Sequence, residues 1–566
     1  MKAYPYKRRR FPHQHRGNSN TNNRHHPRNP PGRGRAGPVV DTSRIEERGT
    51  SDGPNTISIA VLGCCHGELG AVYDRIEHHQ KETGRNVDLL VCCGDFQSLR
   101  TWADFHSLAV PPKYRNSLGS FLPYYVGEKH APVPTIVIGG NHEASQSLQE
   151  LYYGGWLAPR IYYLGAAGVV RFRGLRIGGL SGIFKEYSFR KPHWERPPYN
   201  PANSLRSVYH VRQVDVARLL SLSPPKDAQD AAEGELDRRT LGKRLDIMLT
   251  HDWPQGIEHH GDLQGLLRKK PFFRNDIQNN ELGNPAGRDI LLHLKPRHWF
   301  AAHLHVKFEA TLHHENKKLS SVNPSTAEGQ LTPSQVITAS PKKDETQAST
   351  ASAENNQGES MTTSFLASES RDPCSPPDLT EQMTKFLALD KCLPRKPYLS
   401  IVHVQSPNRV SEDSDSELGY DSEWLAILKK THNWTSTNTA SPIVISKSDT
   451  EEVERQLGTL VIPHNFTPTL SLLSPSASLA PVPNHLPPPL PQMGNPQTDR
   501  LLQLLGLDHC TSGLTLPFTK GLETAGDVDP NAIDIETGDT DPNAIDIEHS
   551  AGNPCDDGNE IDIDEL

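Results

Sequence analysis

Ile138-Gly-Gly-Asn-His-Glu143, entered from the apolar run Pro134-Thr-Ile-Val-Ile138, decides how the rest of the chain is read. The run suits a buried strand, and the two glycines let the backbone turn sharply without a Cβ clash. The turn then presents Asn141 and His142 side by side. An amide oxygen and an imidazole at the end of a buried strand suit a metal-bound phosphate site. Taken alone, the same residues describe a polar turn and nothing more.

Four other apolar segments end in the same way. Ile57–Leu62 runs into Gly63-Cys64-Cys65-His66-Gly67, and Val87–Cys93 into Gly94-Asp95-Phe96. Asp246–Thr250 is followed by His251-Asp252-Trp253-Pro254, and Trp299–Ala302 by His303-Leu304-His305. Leu69, Val72, Tyr73 and Ile76 fall at i, i+3, i+4 and i+7, which predicts a helix after the first strand. A second helix is expected over Glu143–Leu151. Strands alternating with helices at this spacing indicate an α/β sandwich. Short strands are expected between 161 and 184.

In an α/β sheet, ligands gather outside the carboxyl ends of the strands. Cys64, His66, Asp95, Asn141, His251, His303 and His305 should therefore share one rim, and all of these residue types ligate divalent transition metals. A carboxylate such as Asp95 can bridge two cations. Two cations roughly 3.5–4 Å apart activate a water and hold the phosphoryl oxygens of an in-line displacement. His142 follows a candidate ligand, so general acid is its natural role. The bland alternatives are a capped histidine, a turn aspartate and small buried cysteines. Five such endings in one order favour the metal site.

The flanks are a different kind of sequence. Hydrophobic residues make up 35% of the 566, and the net charge of −9 conceals two oppositely charged ends. Residues 1–40 carry ten Lys/Arg and no acid, and residues 521–566 carry fifteen Asp/Glu and no Lys/Arg. A basic disordered arm is expected over 1–56, a low-complexity linker over 314–383, and a disordered region, acidic at its end, over 433–566. Lys7-Arg-Arg-Arg10 resembles a nuclear-import signal, which places the protein in the nucleus with the cytoplasm as the alternative; a merely solvated tail is the competing reading. The octapeptide at 529–536 recurs at 541–548; two copies are too few and too polar for a solenoid, and they read as an acidic tail or a short binding motif. Adjacent cysteine pairs at strand ends do not make a disulfide framework. With no apolar run near the ~18 residues that span a bilayer, and no apolar core to the N-terminus, a soluble intracellular protein is expected.

Between 184 and 212 the periodicity stops, and basic residues alternate with aromatic ones. Cations for phosphates and rings for unstacked bases suit a nucleic-acid surface. Lys185, Arg190, Tyr199, Arg206, Tyr209, His210 and Arg212 are the candidate contacts. A surface loop pinned by its own aromatics is the alternative.

The order G-x-x-H, G-D, G-N-H-E, H-D and H-x-H resembles the calcineurin-like metallophosphoesterase superfamily. Within it the chain is most similar to the RNA lariat debranching enzymes. Gly63–Leu69, Cys92–Gln97, Val110-Pro-Pro-Lys-Tyr114, Tyr153-Gly-Gly-Trp156, Gly179–Lys185, Tyr209–Arg212 and Phe386–Pro394 carry that likeness. The wider superfamily has Asp where this chain has Cys64, and Cys there is the debranching pattern.

The resemblance implies an α/β/β/α sandwich over 57–313 with a lariat-recognition loop at 181–211 and a small C-terminal extension at 384–432. It also implies one or two ions, Fe²⁺/Zn²⁺ or Mn²⁺. Cys64, His66, Asp95 and His305 would line one position and Asp95, Asn141, His251 and His303 the other, with His142 catalytic. The substrate implied is branched RNA. A different phosphoesterase, such as a protein phosphatase or a 3′-5′ nuclease, and a non-catalytic RNA-binding scaffold are the rivals. The basic-aromatic loop speaks against a phosphoprotein substrate, and the complete ligand set speaks against a non-catalytic scaffold.

Overall fold

A computed structural model describes residues 45–50, 53, 55–224, 244–314, 382–406, 417–437, 440–470 and 483–519. The import-like signal, the linker interior and the octapeptide pair lie outside these residues.

Two seven-stranded sheets form the centre. The first runs Glu46–Arg48, Leu399–Gln405, Thr56–Leu62, Leu89–Cys92, Thr135–Val137, Ile161–Tyr163, Gly155–Ala158. The second runs Phe308–His314, Gln382–Ala388, His298–Ala301, Ile247–Thr250, Leu175–Leu180, Ala167–Phe172, Leu418–Tyr420. In the first sheet Thr56–Leu62, Leu89–Cys92 and Thr135–Val137 are mutually parallel, as are Leu175–Leu180, Ile247–Thr250 and His298–Ala301 in the second. Their carboxyl ends therefore gather on one side of each sheet.

Side-chain alternation builds the layers. Ile57, Ile59 and Val61 point between the sheets, where they join Leu89, Val91, Ile136, Ile177, Ile247, Leu249 and Phe300 in one apolar cluster. Ala60 and Leu62 face the other way, under the helix Leu69–Thr83. That helix buries Leu69, Val72, Tyr73 and Ile76, the residues whose spacing predicts it, and ends at Gly84 in the left-handed region. Helices Gln213–Leu220, Pro285–Leu294 and Ser422–Thr431 contribute to the cluster on the outer face of the second sheet.

Three boundaries differ from expectation. The folded part starts before 57, because Glu46–Arg48 adds a parallel edge strand beside Ser400–Val402. The segment expected as a small extension belongs to the sandwich: Gln382–Ala388 and Leu399–Gln405 each enter one of the sheets. Buried Arg176 also reaches from the second sheet to Asp421, at 2.9 and 2.7 Å, and Asp421 caps the helix Ser422–Thr431.

The third difference concerns the region read as disordered from 433. It contains helices Lys447–Leu457 and Pro496–Leu505. The second buries Leu501, Leu502 and Leu505, and its Gln497 exchanges hydrogen bonds with the Trp156 backbone at 2.7 and 2.9 Å. Low average hydrophobicity over a hundred residues conceals a short amphipathic helix. Asn495 at its N-cap, Pro496 at its first position and Gly506 beyond its end mark it locally.

Candidate metal centre

Each candidate ligand sits one to four residues past the end of a strand, on backbone that only a packed turn would hold. His66, Asp95, His303 and His305 all have positive φ, 46° to 62°. Non-glycine residues rarely adopt this region, and its cost is met by the surrounding structure. Two glycines admit the close approach that follows. A Cβ on Gly94 would lie 2.4 Å from His251 Nδ1, and one on Gly140 would lie 2.2 Å from Asp95 Oδ1. Trp253 and Trp299, both fully buried, brace the two histidine-bearing ends of the second sheet. Trp253 Nε1 donates to the Ala302 carbonyl at 2.9 Å, and Trp299 Nε1 to Thr250 Oγ1 at 2.8 Å.

Cys64, His66, Asp95 and His305 place one ligand atom each within 4.8 Å of one another. His66 Nε2 is 3.4 Å from His305 Nε2 and 3.6 Å from Asp95 Oδ2. Asp95 Oδ1 faces the other way, 3.4 Å from His251 Nε2, which is itself 3.0 Å from Asn141 Oδ1. The His251 and His303 rings lie 5.0 Å apart. The two candidate ligand sets thus meet at one carboxylate.

The donor chemistry fits cations. His251 Nδ1 donates to the Cys93 carbonyl at 2.7 Å, which turns Nε2 toward the Asn141 oxygen. A cation between them would be shared by that nitrogen and that oxygen. Among the described residues, buried Asp95 Oδ2 has no hydrogen-bond partner. Burial works against the Asp95 charge, but His251, His142 and His66 together hold the carboxyl well below its usual range. Burial and then His251 keep His303 neutral, as a ligand must be. Burial first and then Asp95 push the Cys64 thiol well up, so a thiolate here needs a cation beside it.

His142 stands apart from the ligands. Its Nδ1 donates to the Ala109 carbonyl at 3.0 Å, its backbone N–H donates to Asp95 Oδ1 at 2.8 Å, and its ring lies 5.8 Å from that of His66. It lines a cavity of about 480 Å³ that also contains Asp95, Asn141, His303 and His305. Lys185, Arg206 and Tyr209 line the same cavity, and Arg190 lines an adjoining recess.

Three expected contacts do not reach it. Arg212 is wholly buried, bonded to Glu195 and to the carbonyls of Ser188 and Ser207, each at 2.9 Å. His210 is buried against Ser188 Oγ at 3.0 Å, and Tyr199 donates to Gln149 Oε1 at 2.5 Å. They form the root of the loop rather than an RNA surface, because all three side chains are buried and bonded to neighbours inside it.

Sequence reasoning also passed over working parts. Glu143 accepts from the backbone N–H groups of Phe96, Gln97 and Gly140, at 2.8, 2.8 and 2.9 Å, tying two ligand turns together. Burial and then Asp95 push its carboxyl up to about 8. Its place directly after His142 was the available signal. Arg115, Phe272 and Phe273 line the cavity from outside the motifs singled out as ligands or loop.

Residues 57–307 match the family model for calcineurin-like phosphoesterases, and residues 381–510 match the model for the C-terminal domain of the lariat debranching enzyme. The lariat debranching enzyme of Arabidopsis thaliana is 40% identical over 80% of this chain and 87% of its own length. The chain belongs to the lariat debranching enzyme family. Relatives of the same name are 42% identical in Danio rerio and 43% identical in Homo sapiens. Those matches span 66% and 53% of the relatives' own lengths.

Proposed function

We propose that this chain hydrolyses the 2′-5′ phosphodiester at the branch point of excised intron lariats. The observation that carries the reading is one cavity holding the shared Asp95, His142 and the basic-aromatic rim Lys185, Arg206 and Tyr209. Bound divalent cations would supply Lewis acidity toward the phosphoryl oxygens and lower the pKa of the attacking water. Cys64, His66, Asp95 and His305 would hold one ion, and Asp95, Asn141, His251 and His303 a second. A soft thiolate in the first set favours Fe²⁺ or Zn²⁺, with Mn²⁺ next, over Mg²⁺.

His142 protonates the departing 2′-oxygen from Nε2, since Nδ1 is engaged by Ala109. Lys185 and Arg206 meet phosphates, and Tyr209 offers a ring to a base. The basic run Lys7–Arg10 supports action in the nucleus.

Incubating the purified chain with branched RNA and a linear 3′-5′ control, with and without chelator, tests this reading. Cleavage confined to the branch and abolished by chelation is expected. Equal cleavage of the linear control would make it a general nuclease.

A further inference from the structure

Two stretches on either side of the linker carry seven cations and one acid between them: Arg268-Lys-Lys-Pro-Phe-Phe-Arg274 and Asp390-Lys-Cys-Leu-Pro-Arg-Lys396. The fold brings their charges together beside the metal centre. The 390–396 turn is tied to the first ligand turn, because Cys392 N donates to the Cys64 carbonyl at 2.9 Å. Lys270 comes from the end of the helix Leu263–Lys269 and sets its ammonium 5.6 Å from the Phe272 ring. Phe272 lines the cavity.

Lys270 is half-buried and feels both Lys391 and Lys396. Burial first holds its ammonium down; Asp390 is the strongest of its charged neighbours and opposes this, while Lys396 and Lys391 add to it. Asp390 already pairs with Lys396 at 3.4 Å, and Arg268 pairs with Asp262 at 3.7 Å. Lys269, Arg395 and Lys396 are exposed. The chain as a whole is acidic, so this concentration of cations is not an average property of its surface.

We infer that the Lys270–Lys391–Lys396 cluster is a second RNA-binding surface, taking the phosphate backbone of a single-stranded arm that leaves the cavity past Phe272. This rests on the reading of the cavity as the place where branched RNA is cut. A branched RNA has three arms, and the Lys185–Arg206 rim meets the branch from only one part of the cavity lining. A phosphate chain is suited to offset several ammonium groups held close together. Asp276 and Glu281, also on the cavity lining, would repel phosphates and direct the arm toward the lysines.

The test is equilibrium binding of a branched RNA with arms of about a dozen nucleotides, in chelator so that nothing is cut, across a salt series. The full chain is compared with the triple variant Lys270→Gln, Lys391→Gln, Lys396→Gln. Each phosphate contact on a single strand contributes about 0.7 to the slope of log affinity against log salt, so the triple variant should lose about 2. Lys447→Gln is the control, at a side chain that is 90% exposed on another helix. Should the triple variant fold poorly by thermal melt, exposed Lys396→Gln alone decides, with an expected loss of about 0.7.

An unchanged slope in a folded variant overturns the proposal, as does an equal loss in Lys447→Gln. Because cleavage is not read, a chain that binds through the cluster but fails to debranch would sink the proposed function and leave this surface standing.

Discussion

The metal centre and the 184–212 loop were both read from residue type, yet they fared differently when folded. At the centre, every residue taken from a strand end arrives at the same rim. In the loop, four candidates line the cavity or its adjoining recess, and three are sealed in the root. Arg206 and Arg212 are six residues apart with the same chemistry and opposite surroundings. A strand end fixes both the position and the direction of a side chain. Composition fixes neither, because a guanidinium can be buried wherever acceptors surround it.

The largest expected effect lies at the centre. His142→Ala should lower turnover of branched RNA by ~10²–10⁴-fold while metal content stays at the wild-type level. Metal analysis beside the rate is the check, and loss of metal would move His142 into the ligand set.

Truncation after residue 482 comes next. It removes Leu501, Leu502 and Leu505, each worth about 1.5–3 kcal/mol when buried, and should lower the melting temperature by many degrees. An unchanged melt would show that this helix adds nothing to the fold.

The two arginines then separate root from rim. Arg212→Met leaves Glu195 unpaired in the interior and should cost about 3–5 kcal/mol in denaturant titration. Arg206→Gln should leave stability alone and flatten the salt dependence of RNA binding. The reverse pattern would break the division.

The smallest effect is a pH dependence. Burial first, then Arg212 and Lys185, hold His210 down to about 3, whereas an unfolded histidine titrates near 6.5. The unfolded chain therefore binds a proton that the folded chain does not, and stability falls as pH drops from about 6.5 toward 3. His210→Gln should lose less stability between pH 7 and 5 than wild type, by at most about 2 kcal/mol. Parallel curves would place His210 in contact with solvent.

The strands of the phosphoesterase core and the convergence of the eight candidate residues on one rim were legible because periodicity and strand-end chemistry are local signals. The edge strand Glu46–Arg48 was not, being three polar or charged residues held by pairing with Ser400–Val402. Nor was the shared membership of the two sheets, since it joins segments hundreds of residues apart. The helix Pro496–Leu505 was marked by its caps and was overlooked only because the whole region was judged by its average.

One pairing reaches beyond this molecule. Phe308–His314 and Gln382–Ala388 are antiparallel neighbours in unbroken register, with His314 opposite Gln382. Whatever the chain carries between them leaves and re-enters the sheet at one point. Lengthening such a connection costs little, roughly 0.6 kcal/mol per doubling. Residues 315–381 thus occupy a site where insertions and deletions can accumulate over evolution without disturbing the ladder, and where a reporter domain could be spliced in at the same small cost.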